Sequence, residues 1–223
     1  MSHEAHANSH IVVAIDGPAA SGKSVVARLL AKKLGFVYVN SGAMYRAVTW
    51  YALQKEVPTA ETARVAPLLE TMHIECGLAN GESTVRIDGV DPAEFLNSEA
   101  VNHNVSNIAG IPEVRKVLVA LQQKYAEHSN IVMEGRDIGS VVFPHTPYKF
   151  YIDASLEVRA RRRANQGLQD EIGMRDKRDS TRRASPLVIA EDAHVIDSSN
   201  LTIDGVTGEI IGRLKLKGLK IDY

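Results

Sequence analysis

Short, continuous apolar runs recur along the chain, and most are followed by apolar positions at helical spacing. The first run, residues 11–15, is typical of a strand buried on both faces of a parallel sheet. The amphipathic stretch after it, residues 25–34, predicts a helix that ends at Gly35. Further apolar runs of this kind lie at residues 36–39, 131–133, 148–152 and 193–196. Strands that alternate with helices predict an α/β fold, here with five parallel strands covered by helices on both faces.

The middle of the chain departs from this alternation. Residues 73–76 and 84–90 have the pattern of strands, and Asn80-Gly81 between them is a strong hairpin signal. Antiparallel pieces within an alternating chain predict a small inserted subdomain, which we place at residues 58–107. The other predicted parts are a disordered head and a two-part core, at residues 1–10, 11–57 and 108–223.

The composition is that of an ordinary globular protein, 44% hydrophobic and 24% charged, with a net charge of −1. This near-neutral charge gives no electrostatic reason to expect a nucleic-acid or membrane partner. No apolar run approaches the roughly 20 residues of a membrane helix, and the polar start lacks the apolar core of a secretion signal. The lone Cys76 cannot form an internal disulfide. We expect a cytoplasmic monomer whose partners are small molecules.

Residues 16–24, DGPAASGKS, contain the phosphate-binding loop pattern G-x-x-x-x-G-K-S/T between a predicted strand and a predicted helix. The glycines let the backbone approach an anion closely, and the unpaired N–H groups of the helix start can donate to phosphate oxygens. Lys23 is expected to reach the β- and γ-phosphates of ATP, and the Ser24 hydroxyl to bind Mg²⁺. The predicted ATP-binding residues are Gly17, Pro18, Ala19, Ala20, Ser21, Gly22, Lys23 and Ser24.

Arginines follow several of the predicted strands and concentrate in one later segment. Arg46 and Arg136 lie near the carboxyl ends of strands, where parallel α/β sheets bind ligands. Residues 159–183 hold nine basic and four acidic residues, a balance that suits a compact polyanion. On a helix, Arg175, Arg178, Asp179 and Arg182 share one face. That face is either a solvated surface with ion pairs or part of a lid, at approximately residues 159–183, that closes over phosphates and excludes water.

Five ordered motifs together resemble those of bacterial cytidylate kinase, a nucleoside monophosphate kinase, over almost the whole chain. They are IDGP with SGK, SGAMYR, EGRDIG with VVFP, RDKRD and SPL, at residues 15–23, 41–46, 134–144, 175–179 and 185–187. The predicted insertion also looks like the enlarged monophosphate-binding region of that family. The resemblance implies transfer of the γ-phosphoryl group of MgATP to CMP or dCMP.

The resemblance also implies roles for matching residues. Lys23, Arg46, Arg136 and Arg182 look like phosphate or transition-state ligands. The implied CMP-binding residues are Ser41, Arg46, Ser106, Arg115, Gly135, Arg136, Asp137, Arg175, Asp179 and Arg182. For Asp16, holding Mg²⁺ through water and ordering the phosphate loop are equal alternatives.

Chemistry makes a cytosine site reasonable around Asp137. Its carboxylate can accept from the cytosine amino group, where uracil presents an acceptor instead. The alternative for Asp137 is an ion pair with a neighbouring arginine. No general base is required, because the phosphate of CMP is already ionised. Only eleven residues separate Arg163 from Arg175, which is short for this family, so Arg159, Arg162 and Arg163 stay outside the predicted catalytic set.

Two other functions remain open on the sequence. One is a kinase of another small acceptor, such as a different nucleoside monophosphate or shikimate. The other is a nucleotide-dependent switch that binds ATP without transferring phosphate. The insertion and the region from Ser106 to Arg115 argue against the first alternative.

Overall fold

One mixed sheet of seven strands forms the centre of the computed structural model, which describes residues 10–165, 172–182 and 184–221, with Arg175 described by its backbone alone. Most of the predicted head, residues 1–9, and part of the predicted lid, residues 166–171 and 183, lie outside this description. The strand order is β3-β4-β2-β5-β1-β6-β7. The strands are β1 Val12–Asp16, β2 Val37–Asn40, β3 Ile74–Ala79, β4 Glu82–Ile87, β5 Ile131–Gly135, β6 Tyr148–Asp153 and β7 His194–Asp197.

The five predicted parallel strands are confirmed as β2, β5, β1, β6 and β7, but the prediction of a five-stranded sheet is wrong. The predicted hairpin, β3 with β4, adds two more strands at the β2 edge. Its turn has the positive φ angles that Asn80-Gly81 favours, 53° and 77°. β4 joins β2 through a single parallel pair, Tyr38 with Glu82, and the Tyr38 amide donates to the Gly81 carbonyl at 2.9 Å. The hairpin therefore extends the sheet.

Local signals mark the end of α1 and the start of α2. The glycine predicted to end α1, Gly35, caps that helix at φ 66°. The Asn40 side chain accepts from the Ala43 amide at 3.0 Å and so caps the start of α2. The helices are α1 Lys23–Leu34, α2 Ser41–Gln54, α3 Thr62–Val65, α4 Leu68–Thr71, α5 Glu99–Ala109, α6 Pro112–His128, α7 Leu156–Ala164, α8 Ile172–Thr181 and α9 Ile203–Leu216, with a π-helix at Ile138–Val142.

Helices cover both faces of the sheet, as predicted. Alternate residues of β1 point to opposite sides, so Ala14 packs in one apolar cluster and Ile15 in the other. The Ala14 cluster contains residues of α2, α5 and α6, and the Ile15 cluster contains residues of α1 and α9. Val85 and Val105, from the predicted insertion, pack in the Ala14 cluster. The assignment of residues 58–107 as a substrate-binding unit stays a prediction.

The carboxyl ends of the parallel strands lie together at one end of the sheet. The segments that follow these strand ends carry the predicted site residues. β1 leads into the phosphate-binding loop, which we call the P-loop and define as residues 17–24. β2 leads directly into α2, and β5 leads into the π-helix. Across the described ranges, no helix combines the length and apolar character required to cross a membrane.

Candidate active site

A cleft of about 930 Å³ opens at the carboxyl ends of the parallel strands. Its walls come from the P-loop, the start of α2, the end of β5, and helices α5, α7 and α8. The predicted site residues that line it are Ala19, Ala20, Ser21, Gly22, Lys23, Ser24, Ser41, Arg46, Ser106, Arg115, Gly135, Arg136, Asp137, Asp179 and Arg182. Gly17 and Pro18 belong to the loop but do not line the cleft, and the Arg175 side chain lies outside the described part of the chain. The cleft therefore brings the predicted donor and acceptor residues together.

The P-loop follows a path that requires glycine at both ends. Gly17 has φ 152°, and a Cβ there would lie 2.1 Å from the Ile152 carbonyl oxygen of the neighbouring strand. Gly22 has φ 91° and forms the N-cap of α1 without a side-chain cap. The first N–H groups of α1 have no intrahelical acceptor and carry the positive end of the helix dipole. This geometry suits a phosphate group.

Two P-loop side chains stand at the start of α1. Lys23 is buried, and its Nζ donates to the Pro18 carbonyl at 2.9 Å across the loop. Ser24 is half-buried in the first helical turn and lines the cleft. No acidic residue lies in the first turn of α1. Both residues line the cleft at the start of α1, and their contacts with phosphate and Mg²⁺ stay predictions.

Asp16, the last residue of β1, fixes the backbone beyond β5. Its two carboxylate oxygens accept from the amides of Ile138 and Gly139, both at 2.8 Å. Burial raises the pKa of Asp16 to about 7, while the two amide hydrogen bonds act in the opposite direction. The described residues contain no group of three or more His, Cys, Asp or Glu side chains suited to a metal. The two hydrogen bonds of Asp16 order the π-helix segment. A link between Asp16 and Mg²⁺ stays a prediction.

Close packing shapes the wall formed by α2 and β5. Ser41 donates from Oγ to the Glu134 carbonyl at 2.7 Å. A Cβ at Gly135 would lie 2.6 Å from that Oγ, so only glycine fits there. The guanidinium of Arg46 lies beside Gly42, where an added Cβ would be 3.0 Å from Nη1. Both glycines let polar side chains approach the backbone at the cleft wall.

Arg115 and Asp137 form a buried ion pair between α6 and the end of β5. Arg115 also donates from Nε to the Ser185 hydroxyl at 2.9 Å and from Nη1 to the Ala109 carbonyl at 3.1 Å. Burial raises the pKa of Asp137, and the neighbouring guanidinium of Arg115 acts in the opposite direction. The ion pair that the sequence left as an alternative for Asp137 is therefore present, and it fixes both side chains at the cleft.

Arg182 lies just past α8 with its side chain only 8% exposed. Its Nε donates to the Ser185 carbonyl, and its Nη2 lies 3.8 Å from the Asp137 carboxylate. Within the described residues, that Nη2 is buried and has no hydrogen-bond partner. Burial lowers the pKa of Arg182, yet an arginine keeps its charge at neutral pH. A buried, charged donor without an acceptor fits a site for an anion.

Asp179 connects the predicted lid to two other walls of the cleft. Its carboxylate accepts from Ser106 Oγ of α5 at 3.2 Å and from Arg136 Nε at 3.1 Å. Arg136 also donates from Nη1 to the Gly135 carbonyl at 3.3 Å. Of the face predicted for α8, Asp179 is buried and Arg178 is exposed. The structure thus brings Ser106, Arg136 and Asp179 together, as expected for one acceptor site.

Sequence reasoning missed several residues of this cleft. Glu134 is a buried carboxylate that lines it, and the Tyr38 hydroxyl donates to Glu134 at 3.0 Å. Tyr45 also lines it, with the Arg115 guanidinium 5.4 Å from its ring centre. Arg162, left out of the predicted set, lies against the P-loop. The only available signals were the motif letters around Glu134 and Tyr45 and the basic character of α7.

Comparison with known proteins agrees with these motifs. A family model described as cytidylate kinase matches residues 13–216. A cytidylate kinase from Clostridium botulinum (strain Loch Maree) is 42% identical over 217 residues, which cover 92% of this chain and 98% of that protein. One from Limosilactobacillus fermentum is also 42% identical, covering 92% and 96%.

Among solved structures, thymidylate kinase from Candida albicans aligns at 14% identity with a TM-score of 0.47, covering 94% of this chain and 92% of that one. The match to the family model spans nearly the whole described chain. The relatives correspond to it along almost their full length. The chain belongs to the cytidylate kinase family.

Proposed function

We propose that the protein transfers the γ-phosphoryl group of MgATP to CMP or dCMP, giving CDP or dCDP and ADP. The observation that carries the proposal is that Lys23 of the P-loop and the buried Arg182 line one cleft. A phosphate donor and a second phosphate group can therefore meet there. Membership of the cytidylate kinase family supports CMP as the acceptor.

The donor half of the site is the P-loop. The amides at the start of α1 bind the β-phosphate, and Lys23 reaches the transferred group. The Ser24 hydroxyl fits a Mg²⁺ ligand because it lies in the first turn of α1, next to the amides that would hold the phosphates. The ion, when bound, neutralises charge on the β- and γ-phosphates. Asp16 has both oxygens occupied by amides, so we assign the protein's metal contact to Ser24.

The acceptor half holds the CMP phosphate with arginine. Arg46, Arg136 and Arg182 neutralise the acceptor phosphate and the moving phosphoryl group. An ionised oxygen of the CMP phosphate attacks the γ-phosphorus, the bond to the β–γ bridging oxygen breaks, and ADP leaves with that oxygen. The second pKa of a phosphate monoester is about 6, so the attacking oxygen needs no base at neutral pH. Catalysis then rests on positioning and electrostatic stabilisation.

Recognition of cytosine involves the Arg115–Asp137 pair. Asp137 accepts from the exocyclic amino group, while Arg115 and Ser106 donate to the ring acceptors. Ser41 and Gly135 line the same wall, and Arg175 with Asp179 hold the sugar. Uracil would place an acceptor against Asp137, which costs about 1–3 kcal/mol and gives roughly ten- to hundredfold discrimination.

The predicted lid, residues 159–183, completes the site. Its described part supplies Asp179 from α8, with Arg182 just after it, so this segment brings acceptor-binding groups to the cleft and shields them from water. We further propose that the protein acts as a monomer in the cytoplasm. Sedimentation of the purified protein tests the oligomeric state, and a dimer at micromolar concentration would contradict it.

A panel of acceptors tests the function. With MgATP fixed, CMP, dCMP, UMP, AMP and shikimate are compared by release of ADP and by direct detection of the phosphorylated product. The proposal expects CMP or dCMP to give the highest kcat/KM. Better turnover of AMP, UMP or shikimate would identify a kinase of another acceptor, and ATP binding without acceptor-dependent ADP release would identify a switch.

A further inference from the structure

Three carbonyl groups of the P-loop are held by side chains. The Pro18 carbonyl accepts from Lys23, within the loop itself. The Ala19 carbonyl accepts from Arg159 Nη1 at 3.3 Å, and the Ser21 carbonyl accepts from Arg162 Nη1 at 3.2 Å. A peptide whose carbonyl is held by a side chain is also restrained in the direction of its N–H, because the peptide group is planar. Side chains of α7 thus help to set the directions in which the P-loop amides point.

The hold on Ala19 comes from two helices. The Asp176 carboxylate of α8 accepts from the Ala19 amide at 3.2 Å, and it also pairs with the Arg159 guanidinium. Arg159 donates from Nε to the Ala154 carbonyl at 3.0 Å, which anchors it to the end of β6. Ala19 is therefore held at both its N–H and its C=O by one ion pair.

The next residue explains why such a hold is needed. Ala20 has φ 59°, in the left-handed region that a residue with a Cβ rarely adopts. Backbone of this kind persists only where surrounding contacts determine it. The Arg159–Asp176 pair acts on one side of Ala20. On the other side, the Ser21 carbonyl accepts from Arg162 and from Ser198 Oγ, the latter at 2.9 Å.

We propose that Arg159 and Asp176 are positioning residues for the ATP site, acting through the backbone of Ala19. We call this ion pair the Ala19 brace. The inference rests on the proposed function in one respect, that the P-loop binds the donor nucleotide. The brace fixes the loop before nucleotide arrives, so it lowers the cost of ordering the amides that hold phosphate.

The test compares nucleotide binding in Asp176→Ala, Arg159→Ala and the double variant with wild type. Calorimetry with MgATP in the absence of CMP measures the donor site alone, and steady-state kinetics give KM for each substrate. Each single variant is expected to bind MgATP about tenfold more weakly, the size of a lost charge-assisted contact. KM for CMP should stay within about twofold.

The double variant separates a brace from direct contacts. If the two residues act as one unit, the double variant binds MgATP within about twofold of the weaker single variant. Losses that multiply to about a hundredfold would mean that each residue contacts ATP independently, and would overturn the proposal. Unchanged or tighter MgATP binding in Asp176→Ala would overturn it as well, because the carboxylate would then occupy or repel the place of a phosphate.

Two further variants show whether weaker MgATP binding results only from a loss of folding. Asp176→Asn keeps an oxygen for the Ala19 amide but loses the ion pair, so binding about threefold weaker than wild type is expected. Binding as weak as in Asp176→Ala or as tight as in wild type would contradict the brace. Lys177→Ala, at an exposed neighbouring position on α8, is the matched control and should bind MgATP like wild type. If the wild-type protein binds MgATP but does not phosphorylate CMP, the proposed function is refuted, while the inference about the Ala19 brace still stands.

Discussion

Arg136 and Asp179 are joined by an ion pair, Nε to Oδ2 at 3.1 Å, although one follows β5 and the other lies on α8. Both side chains are largely buried, so the pair is shielded from solvent. Because Asp179 also accepts from Ser106, it links α5, β5 and α8 around the acceptor end of the cleft. The orientation of the Arg136 side chain thus depends on α8.

Replacing Asp179 should therefore weaken CMP binding. In Asp179→Asn the charge that orients Arg136 is lost, and KM for CMP is expected to rise about tenfold. KM for ATP should change less than twofold, because the described partners of the Asp179 carboxylate, Ser106 and Arg136, belong to the proposed acceptor half of the site. Initial rates at varied CMP and ATP check this. The matched control is Asp204→Asn, whose side chain is exposed, and equal effects on both KM values would count against the assignment.

Loss of Arg182 should affect the chemical step. Arg182→Ala removes a buried donor at the cleft, and kcat should fall by about a hundredfold or more, as for other donors that stabilise transferred charge. Calorimetric MgATP binding should stay near wild type. The control is Arg178→Ala, an exposed position one turn earlier on α8. A kcat close to wild type in Arg182→Ala would remove this residue from the site.

The two ion pairs Arg115–Asp137 and Arg28–Glu82 should differ sharply in their effect on stability. Asp137→Ala leaves the Arg115 charge buried without its partner, which should cost about 3 kcal/mol of unfolding free energy. Glu82→Ala breaks a pair whose side chains are 54% and 39% exposed, and should cost less than about 1 kcal/mol. Urea denaturation measures both. Similar losses in the two variants would contradict the contrast in burial.

Two glycines with positive φ should respond very differently to alanine. Gly17→Ala places a Cβ 2.1 Å from the Ile152 carbonyl, so the loop must move, and MgATP binding should be lost or weakened by at least about a hundredfold. At Gly35 an added Cβ meets nothing within 4 Å, and Gly35→Ala should cost only about 1 kcal/mol of stability with binding intact. Calorimetry and thermal unfolding distinguish the two. Normal binding by Gly17→Ala would argue against the close approach.

The unfolding free energy should fall with rising pH through the titration of Asp16. Its pKa is about 7 in the folded protein and about 4 in an unfolded chain, so the folded state binds the extra proton between these values. Stability then falls by up to about 1.4 kcal/mol per pH unit from pH 4 to pH 7. Asp16→Asn cannot ionise, so wild type should lose stability relative to this variant across that window. A difference independent of pH would contradict the shift.

Much of the fold follows from local pattern. The apolar run at residues 11–15 matches β1, and Gly35 and Asn80-Gly81 mark a helix end and a hairpin turn because few other residues adopt their positive φ angles. The attachment of the hairpin to β2 could not be predicted, because it depends on a single parallel pair. A single pair between two strands produces no repeating pattern of apolar and polar residues in the sequence.

The candidate site also contains parts that the sequence predicts and parts that it does not. The P-loop is a contiguous motif whose geometry is encoded locally, so its residues could be predicted by number. The contact of Asp16 with Ile138 and Gly139 joins distant segments, and so does that of Asp176 with Ala19. In the sequence, Asp16 keeps two alternative roles, holding Mg²⁺ through water or ordering the phosphate loop, and Asp176 is one letter of the RDKRD motif. Only the folded arrangement assigns them partners.

The position of β1 in the sheet has a consequence for synthesis on the ribosome. Val13 pairs with Val132 on one side and Tyr148 on the other, so β1 has no neighbouring strand until well over half of the chain has emerged. Its apolar residues must wait in a partly made protein, where exposed apolar strands promote aggregation. The P-loop is synthesised early, but β5 and β6, the strands on either side of β1, are synthesised much later. Chaperones that bind nascent apolar segments should therefore improve the yield of active enzyme.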